Sequence, residues 1–188
     1  MQGRELKWST LLEKERGYLF GMFEGDGYKI HDKRSRHYQV EFYLNSLKDK
    51  KIIRFIVELL KKINLNPNTY QDKRYHCKRI RVYSKELFKI INKNINLLEK
   101  SNDFIMGYIS GLIDSEGYVN NFKSYILIIN TNKKILKNCK DSLSKLKISS
   151  RINKRVLNVK DKKSSYRMYI SVNFKRLNHL SIKAGKPR

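Results

Sequence analysis

The chain has 188 residues with 42 Lys and Arg against 17 Asp and Glu, a formal net charge of +25 distributed over both halves. Its 40% hydrophobic content is enough to bury a core, which excludes a disordered basic tail. No run of about 18 apolar residues is present, so a membrane partner is set aside and a large polyanion, nucleic acid, is favoured over a merely solvated lysine surface.

In chain order, Thr10 and Glu13 in T-L-L-E read as a capping box that opens a helix reaching about Gly25. Two strands follow around a charged turn at 32–36, with Val40, Phe42 and Leu44 alternating against Gln39, Glu41 and Tyr43. Residues 47–63 place Ile52, Ile56, Leu59, Leu60 and Ile63 at helical spacing, and Pro67 is expected to help end that helix. A second hairpin over 68–83 alternates Arg79, Arg81 and Tyr83 with Ile80 and Val82, and a short helix spans 84–93.

The same order then returns. A helix from about Ser101 to Ser115 is followed by strands at 118–121 and 124–130. A helix carrying Ile135, Leu136, Cys139, Leu143 and Leu146 comes next, then a basic hairpin across 151–173. V-Y-S-K-E-L at 82–87 is echoed by V-N-F-K-R-L at 172–177. The chain is therefore expected to be an α+β protein of two αββαββα repeats, 1–96 and 97–188, joined around 94–102. The second copy is shorter in its first hairpin.

Cys77 and Cys139 have no metal-ligand pairing around them, and Cys139 reads as a reduced core thiol. His31, His37, His76 and His179 show no zinc spacing. The segment M-Q-G-R-E-L-K-W-S-T-L-L-E-K-E-R-G lacks the apolar stretch of a signal peptide, so an intracellular setting is expected.

The strongest signal is a pair of twelve-residue stretches, G-Y-L-F-G-M-F-E-G-D-G-Y from residue 17 and G-Y-I-S-G-L-I-D-S-E-G-Y from residue 107. Gly17, Gly21 and Gly25, and Gly107, Gly111 and Ser115, fall every fourth residue and form one ridge of each helix. An interior glycine costs about 1 kcal/mol relative to alanine, so a ridge of them implies close packing of two backbones. Packing alone does not account for the acids. Asp26 and Glu116 end their helices, where the macrodipole disfavours negative charge, and Gly27 and Gly117 follow as C-terminal caps. If the ridges pair about a pseudo-twofold axis, the two carboxylates meet and repel unless a cation lies between them. Hard oxygen ligands suit Mg²⁺ with waters and substrate phosphates.

L-F-G-M-F-E-G-D-G at 19–27 and I-S-G-L-I-D-S-E-G at 109–117 resemble two copies of the LAGLIDADG motif. The whole chain is similar to a single-chain, two-repeat LAGLIDADG homing endonuclease. The resemblance implies two central packed helices and a saddle of antiparallel sheets over the DNA major groove. It implies that Asp26 and Glu116 are the metal-binding catalytic acids, with the carbonyls of Gly25 and Ser115 also facing the metals. Two or more Mg²⁺ ions are expected, with Mn²⁺ able to substitute. The first acids, Glu24 and Asp114, are read as supports of the helix ends. Among basic and polar residues that orient water or stabilise charge, the resemblance points to Lys100 and its approximate repeat mate Lys186, and to Asn45 and Asn130 at strand ends. The second copy departs from the motif by carrying Glu at the catalytic position, which puts equal cutting of the two strands in question.

The alternation of the strands supplies a DNA-binding set: Gln39, Glu41, Tyr43, Arg79, Arg81 and Tyr83 from the first repeat, and Arg151, Asn153, Arg155, Arg167 and Tyr169 from the second; Lys29 is added to it as a further DNA-binding residue. Arginine suits guanine, and asparagine or glutamine adenine. The implied activity is metal-dependent hydrolysis of both strands of a long, nearly asymmetric duplex by a monomer, leaving short 3′ overhangs. The alternatives are an RNA-splicing maturase that binds intron RNA, a non-cleaving DNA binder on the same fold, and a structural or ribosome-associated basic protein. Abundant Lys, Ile and Asn fit an AT-rich genome, in an archaeal cytoplasm or an organelle.

Overall fold

The computed structural model describes residues 5–34, 37–72, 74–120, 124–155, 164–171 and 182–183. Lys186, the turn of the last hairpin, the 172–177 echo and the final helix expected of the second repeat lie outside the described residues.

A short 3₁₀ turn at Trp8–Thr10 precedes α1 (Glu13–Asp26). The expected capping box is displaced. Leu12 is the N-cap, and its amide donates to the Glu15 carboxylate at 2.8 Å. The Thr10 hydroxyl instead donates to the carbonyls of Lys7 and Lys62, tying the entry segment to the far end of the helix Lys50–Lys62. The hairpin β1 (Gly27–Asp32) and β2 (His37–Asn45) leads to α2 (Lys50–Lys62), then β3 (Asn68–Asp72), β4 (Cys77–Tyr83) and α3 (Lys85–Ile91). After a 3₁₀ turn at Leu97–Glu99, the second repeat gives α4 (Asn102–Glu116), β5 (Gly117–Asn120), β6 (Tyr125–Asn130), α5 (Lys133–Lys145), β7 (Ser150–Lys154) and β8 (Tyr166–Ser171).

Each repeat forms a four-stranded antiparallel sheet with the same order, β1-β2-β4-β3 and β5-β6-β8-β7. The registers also agree: Phe42 pairs with Gly27 and Ile80 as Ile128 pairs with Gly117 and Met168. One face of each sheet is apolar and covered by helices. Val40, Phe42, Ile80 and Val82 join Ile52, Ile56 and Leu60 in the first core, and Ile126, Ile128, Met168 and Ile170 join Leu136, Cys139 and Leu143 in the second. Burial raises the Cys139 thiol pKa, as befits a core thiol.

Pro67 does not end α2. Asn64, at φ 66°, turns the chain, with Leu65 N donating to Leu60 O at 3.0 Å and Asn64 N to Lys61 O at 2.9 Å. Lys147, at φ 57°, ends α5 with the same pair of bonds, from Ile148 N to Leu143 O and from Lys147 N to Ser144 O. Both helix ends are thus Schellman closures built without glycine.

The repeats are joined along α1 and α4, and the glycine ridge is the seam. A methyl group at Gly17 would strike the carbonyl oxygen of Phe104, and one at Gly107 would strike that of Lys14. Gly21 is blocked in the same way by Tyr108 and Gly111 by Tyr18. These collisions come in reciprocal pairs, each second-repeat residue lying ninety positions after its counterpart, which is the signature of a pseudo-twofold axis between the helices. The backbones approach closely enough for Cα–H groups to meet carbonyl oxygens across the seam.

Candidate active site and nucleic-acid interface

Asp26 and Glu116 are the last residues of α1 and α4. At each helix end the chain passes directly into a strand, because Gly27 and Gly117 take extended backbone angles rather than left-handed ones. A side chain at either glycine would collide with its own helix, at Phe23 or at Ile113. The acids therefore emerge where helix meets sheet, at the same end of the seam. Gly25 lies against the Ser115 hydroxyl and the Glu116 side chain, so only one of the two equivalent positions, 25 and 115, has room for a side chain.

Burial raises the Asp26 carboxyl to about 6, the charge of Glu116 adds to the rise, and Lys183 opposes it. Burial also raises the pKa of Glu116, again against Lys183. Two half-buried acids held in this way favour a cation beside them. Among the described residues no group of three or more His, Cys, Asp or Glu side chains forms a closed metal cage. A pair of hard carboxylates suits Mg²⁺ or Mn²⁺, which take few protein ligands and complete their shells with waters and phosphate oxygens.

Of the expected lysines, Lys100 is not brought to this site. It precedes the N-cap of α4 while Glu116 ends that fifteen-residue helix, which separates them by roughly 20 Å at 1.5 Å per residue. Its ammonium lies over the Phe104 ring instead, 5.6 Å from the centroid. The lysine that does reach the acids is Lys183. Its Nζ donates to the Ser115 carbonyl at 3.2 Å, the group expected to face a metal. Asp114 holds this segment in place. Fully buried, its carboxylate accepts from the amides of Ile182 and Lys183, both at 2.9 Å, and from the Tyr18 hydroxyl at 2.8 Å. Burial and the neighbouring Asp114 raise the Tyr18 pKa, so it stays a donor. Asp114 thus ties this end of α4 to the segment that carries Lys183.

Lys93 stands ninety residues before Lys183 in the sequence. Lys93 lines a cavity with Glu24, Gly27 and Lys29 on the other side of the seam. Burial raises the Glu24 pKa, opposed by Lys29.

Asn45 and Asn130 sit at the ends of β2 and β6 and shape the turns there. Asn45 Oδ1 accepts from the amides of Leu47 and Lys48, and Asn130 Oδ1 from that of Asn132 at 2.7 Å. They are not register mates: Asn45 lies three residues after Phe42, whereas Asn130 lies two after Ile128, on the opposite face of its sheet.

The strand faces opposite the cores carry most of the expected DNA-binding set. In the first sheet they are Tyr28, Gln39, Glu41, Tyr43, Arg79, Arg81, Tyr83 and Tyr70. Lys29 is excluded from it, because it pairs with the buried Val40 and so points to the helix side, where its Nζ donates to Asn92 Oδ1 at 2.5 Å. Glu41 is only 1% exposed. It is covered by Arg81, which donates to it, by Arg79 at 3.6 Å and by the Tyr43 hydroxyl at 2.5 Å. Both guanidinium groups also lie over the Tyr70 ring, at 4.9 and 5.0 Å. In the second sheet Arg151 and Asn153 are exposed, Arg151 lies over the Tyr169 ring at 5.1 Å, and the half-buried Arg167 and Tyr169 share their face. Arg155 follows β7, its amide donating to Ser165 O at 2.9 Å.

Two repeats that share an αββαββ order, joined by glycine-ridged helices that each end in an acid, define the class. The sequence matches the model of the LAGLIDADG-like domain twice, over residues 13–96 and 103–180, and the chain belongs to that family. Its fold matches I-DmoI solved in complex with DNA and Ca, at 22% identity and a TM-score of 0.68, covering 92% of this chain and 96% of that one. The N-terminal LAGLIDADG domain of DUF199/WhiA is also similar, at 18% identity and a TM-score of 0.61, covering 94% and 84%. Full-length DUF199/WhiA from Thermatoga maritima matches at 19% identity and a TM-score of 0.63, with 94% of this chain aligned to 56% of that one. No curated protein matches the chain by sequence.

Proposed function

We propose that the protein is a monomeric, site-specific homing endonuclease that hydrolyses both strands of a long, nearly asymmetric DNA site in the presence of Mg²⁺. The observation that carries this reading is the meeting of Asp26 and Glu116 at one end of the seam, one from each repeat, with Asp26 raised to about 6. A protein that only binds nucleic acid need not keep two half-buried acids against their own charge. The neighbouring I-DmoI, solved with DNA and with Ca or Mn, supports the same partner and ion class.

Asp26 and Glu116 would hold divalent ions, which supply Lewis-acid polarisation of the phosphate and a water of lowered pKa. The chain supplies the placement. The glycine seam fixes the separation of the two acids, and the sheets hold the duplex so that one phosphate of each strand faces one acid. Lys183, carried by Asp114, takes the role expected of Lys100: its ammonium offers charge to the phosphate oxygens and a hydrogen bond to water. Lys93 is its counterpart for the other strand. Because Glu116 is one methylene longer than Asp26, the two strands are cut at unequal rates. The rim lysines bind phosphates and set register, while the sheet faces read bases.

The test is incubation with Mg²⁺ and a randomised long-duplex library, followed by sequencing of the ends. Defined ends with short 3′ overhangs are expected from the wild type and none from Asp26→Asn. Binding of intron RNA with no DNA cleavage would replace this reading with the maturase one.

A further inference from the structure

The two DNA-facing sheets share a register but not a chemistry. In the first, one cross-strand row runs Tyr28, Glu41, Arg81, Asn68. The matching row of the second runs Tyr118, Leu127, Tyr169, Arg151. One step along, Tyr43 beside Arg79 is matched by Ile129 beside Arg167. At the two central positions, then, an acid and a tyrosine are replaced by Leu127 and Ile129. Both are half-buried rather than enclosed, on a face whose neighbours include exposed Arg151 and Tyr118.

The difference changes what each sheet offers a groove. In the first, Glu41 commits both arginines before any ligand arrives. In the second, no carboxylate stands at the corresponding position, and Arg167 Nε is buried without a hydrogen-bond partner in the described residues. An apolar pair set between arginines and tyrosines is a poor solvent face for so basic a chain. It suits a surface that is polyanionic at its edges and apolar at its floor. In the major groove the only apolar feature of the base edges is the thymine 5-methyl group.

We infer that Leu127 and Ile129 read thymine methyl groups, so the half-site beneath the second sheet is specified by thymines at its centre, whereas that beneath the first is read by hydrogen bonds. The inference rests on the sheets facing duplex DNA, as the endonuclease reading requires, but not on cleavage.

The test is binding in EDTA. A site is selected from a random duplex pool, and its thymines are replaced by deoxyuridine one half at a time. One half should lose affinity, by about fourfold for each contacted methyl group removed, while the other stays unchanged. In the Leu127→Ala, Ile129→Ala double variant that loss should disappear, with binding at low salt retained as the check on folding. A defined site indifferent to deoxyuridine in both halves, or a double variant as sensitive as the wild type, overturns the inference and leaves the endonuclease reading standing. Failure to retain any duplex overturns both.

Discussion

The backbone amide of Lys183 donates to the buried Asp114 carboxylate at 2.9 Å, and the same lysine's ammonium reaches the carbonyl of Ser115, one residue further along α4. Asp114 and the lysine that reaches the two terminal acids are thereby one assembly. Lys183→Met should leave the melting temperature nearly unchanged and slow cleavage by about 10²-fold or more, the range of a positioned acid–base group. Lys100→Met, at the far end of α4, should cleave like the wild type. Single-turnover rates on a defined duplex check both, and a slow Lys100 variant beside a fast Lys183 variant would reverse the assignment.

Asp114→Ala should cost both stability and rate. It leaves two amides and the Tyr18 hydroxyl without their buried acceptor, and hydrogen bonds to a charged group are worth about 1.5–3 kcal/mol each before compensation by water. Denaturant unfolding should show a lower midpoint, and added Mg²⁺ should not restore the cleavage rate. A variant of unchanged stability would show that Asp114 does not anchor the segment.

The raised pKa of Asp26 makes a signed prediction. An acid raised to about 6 in the folded state from an ordinary 3.8 keeps its proton longer when folded than when unfolded. The folded state therefore loses stability as pH rises through that window, and the whole penalty is present above it. In EDTA at neutral pH, Asp26→Asn should melt at a higher temperature than the wild type, with a flatter pH profile between those values, and it should not cleave. Divalent cations should stabilise the wild type at neutral pH and progressively less below pH about 6, since they bind the ionised form. Calorimetry across pH, with and without Mg²⁺, tests both. A less stable Asp26→Asn would contradict the strained-acid account.

Much of this site was legible in the sequence because it was written twice. The glycine ridge, the terminal acids and the αββαββα order all follow from comparing residue 17 onward with residue 107 onward. What failed was local inference without that comparison. Lys100 was placed by motif neighbourhood, although helix length alone sets it far from Glu116. Lys29 was added to the DNA-binding set without its strand's parity, which its partner Val40 fixes on the helix side. Thr10 looked like a cap, but its hydroxyl was needed by Lys62, a tertiary contact that no local pattern encodes. Leu127 and Ile129 received no assignment, because in the sequence an apolar residue on the outer face of a sheet looks like any other strand residue.

The seam makes a prediction about two residues together. A methyl group at Gly25 meets the Ser115 side chain, so Gly25→Ser alone should destabilise the protein by about 1–3 kcal/mol, the usual cost of overpacking. Combined with Ser115→Gly it should recover most of that loss, since the pseudo-twofold axis makes the two positions interchangeable. Chemical denaturation of the two single variants and the double variant tests this, and additive losses would deny the symmetry.

Glu41 is the last case, and it separates affinity from specificity. Its carboxylate is 1% exposed and carries Arg81, Arg79 and Tyr43. Glu41→Ala would leave two arginines close together without their counter-charge, and breaking such a pair costs about 3 kcal/mol where the partner stays buried. Here both guanidinium groups reach solvent, so a smaller loss of stability is expected. The main effect falls on DNA. Releasing the arginines adds positive charge to the face, so non-specific binding should tighten at low salt and fall more steeply as salt rises. At the same time the arginines lose the geometry that a bidentate contact with guanine needs, so the ratio of specific to non-specific affinity should drop by about tenfold or more, the worth of one such contact. Glu41→Gln, which keeps the hydrogen-bond acceptor but not the charge, should fall between the wild type and Glu41→Ala on both measures. If Glu41→Ala bound its selected site with undiminished preference, the carboxylate would be a passive filler beneath the arginines and not the group that aims them.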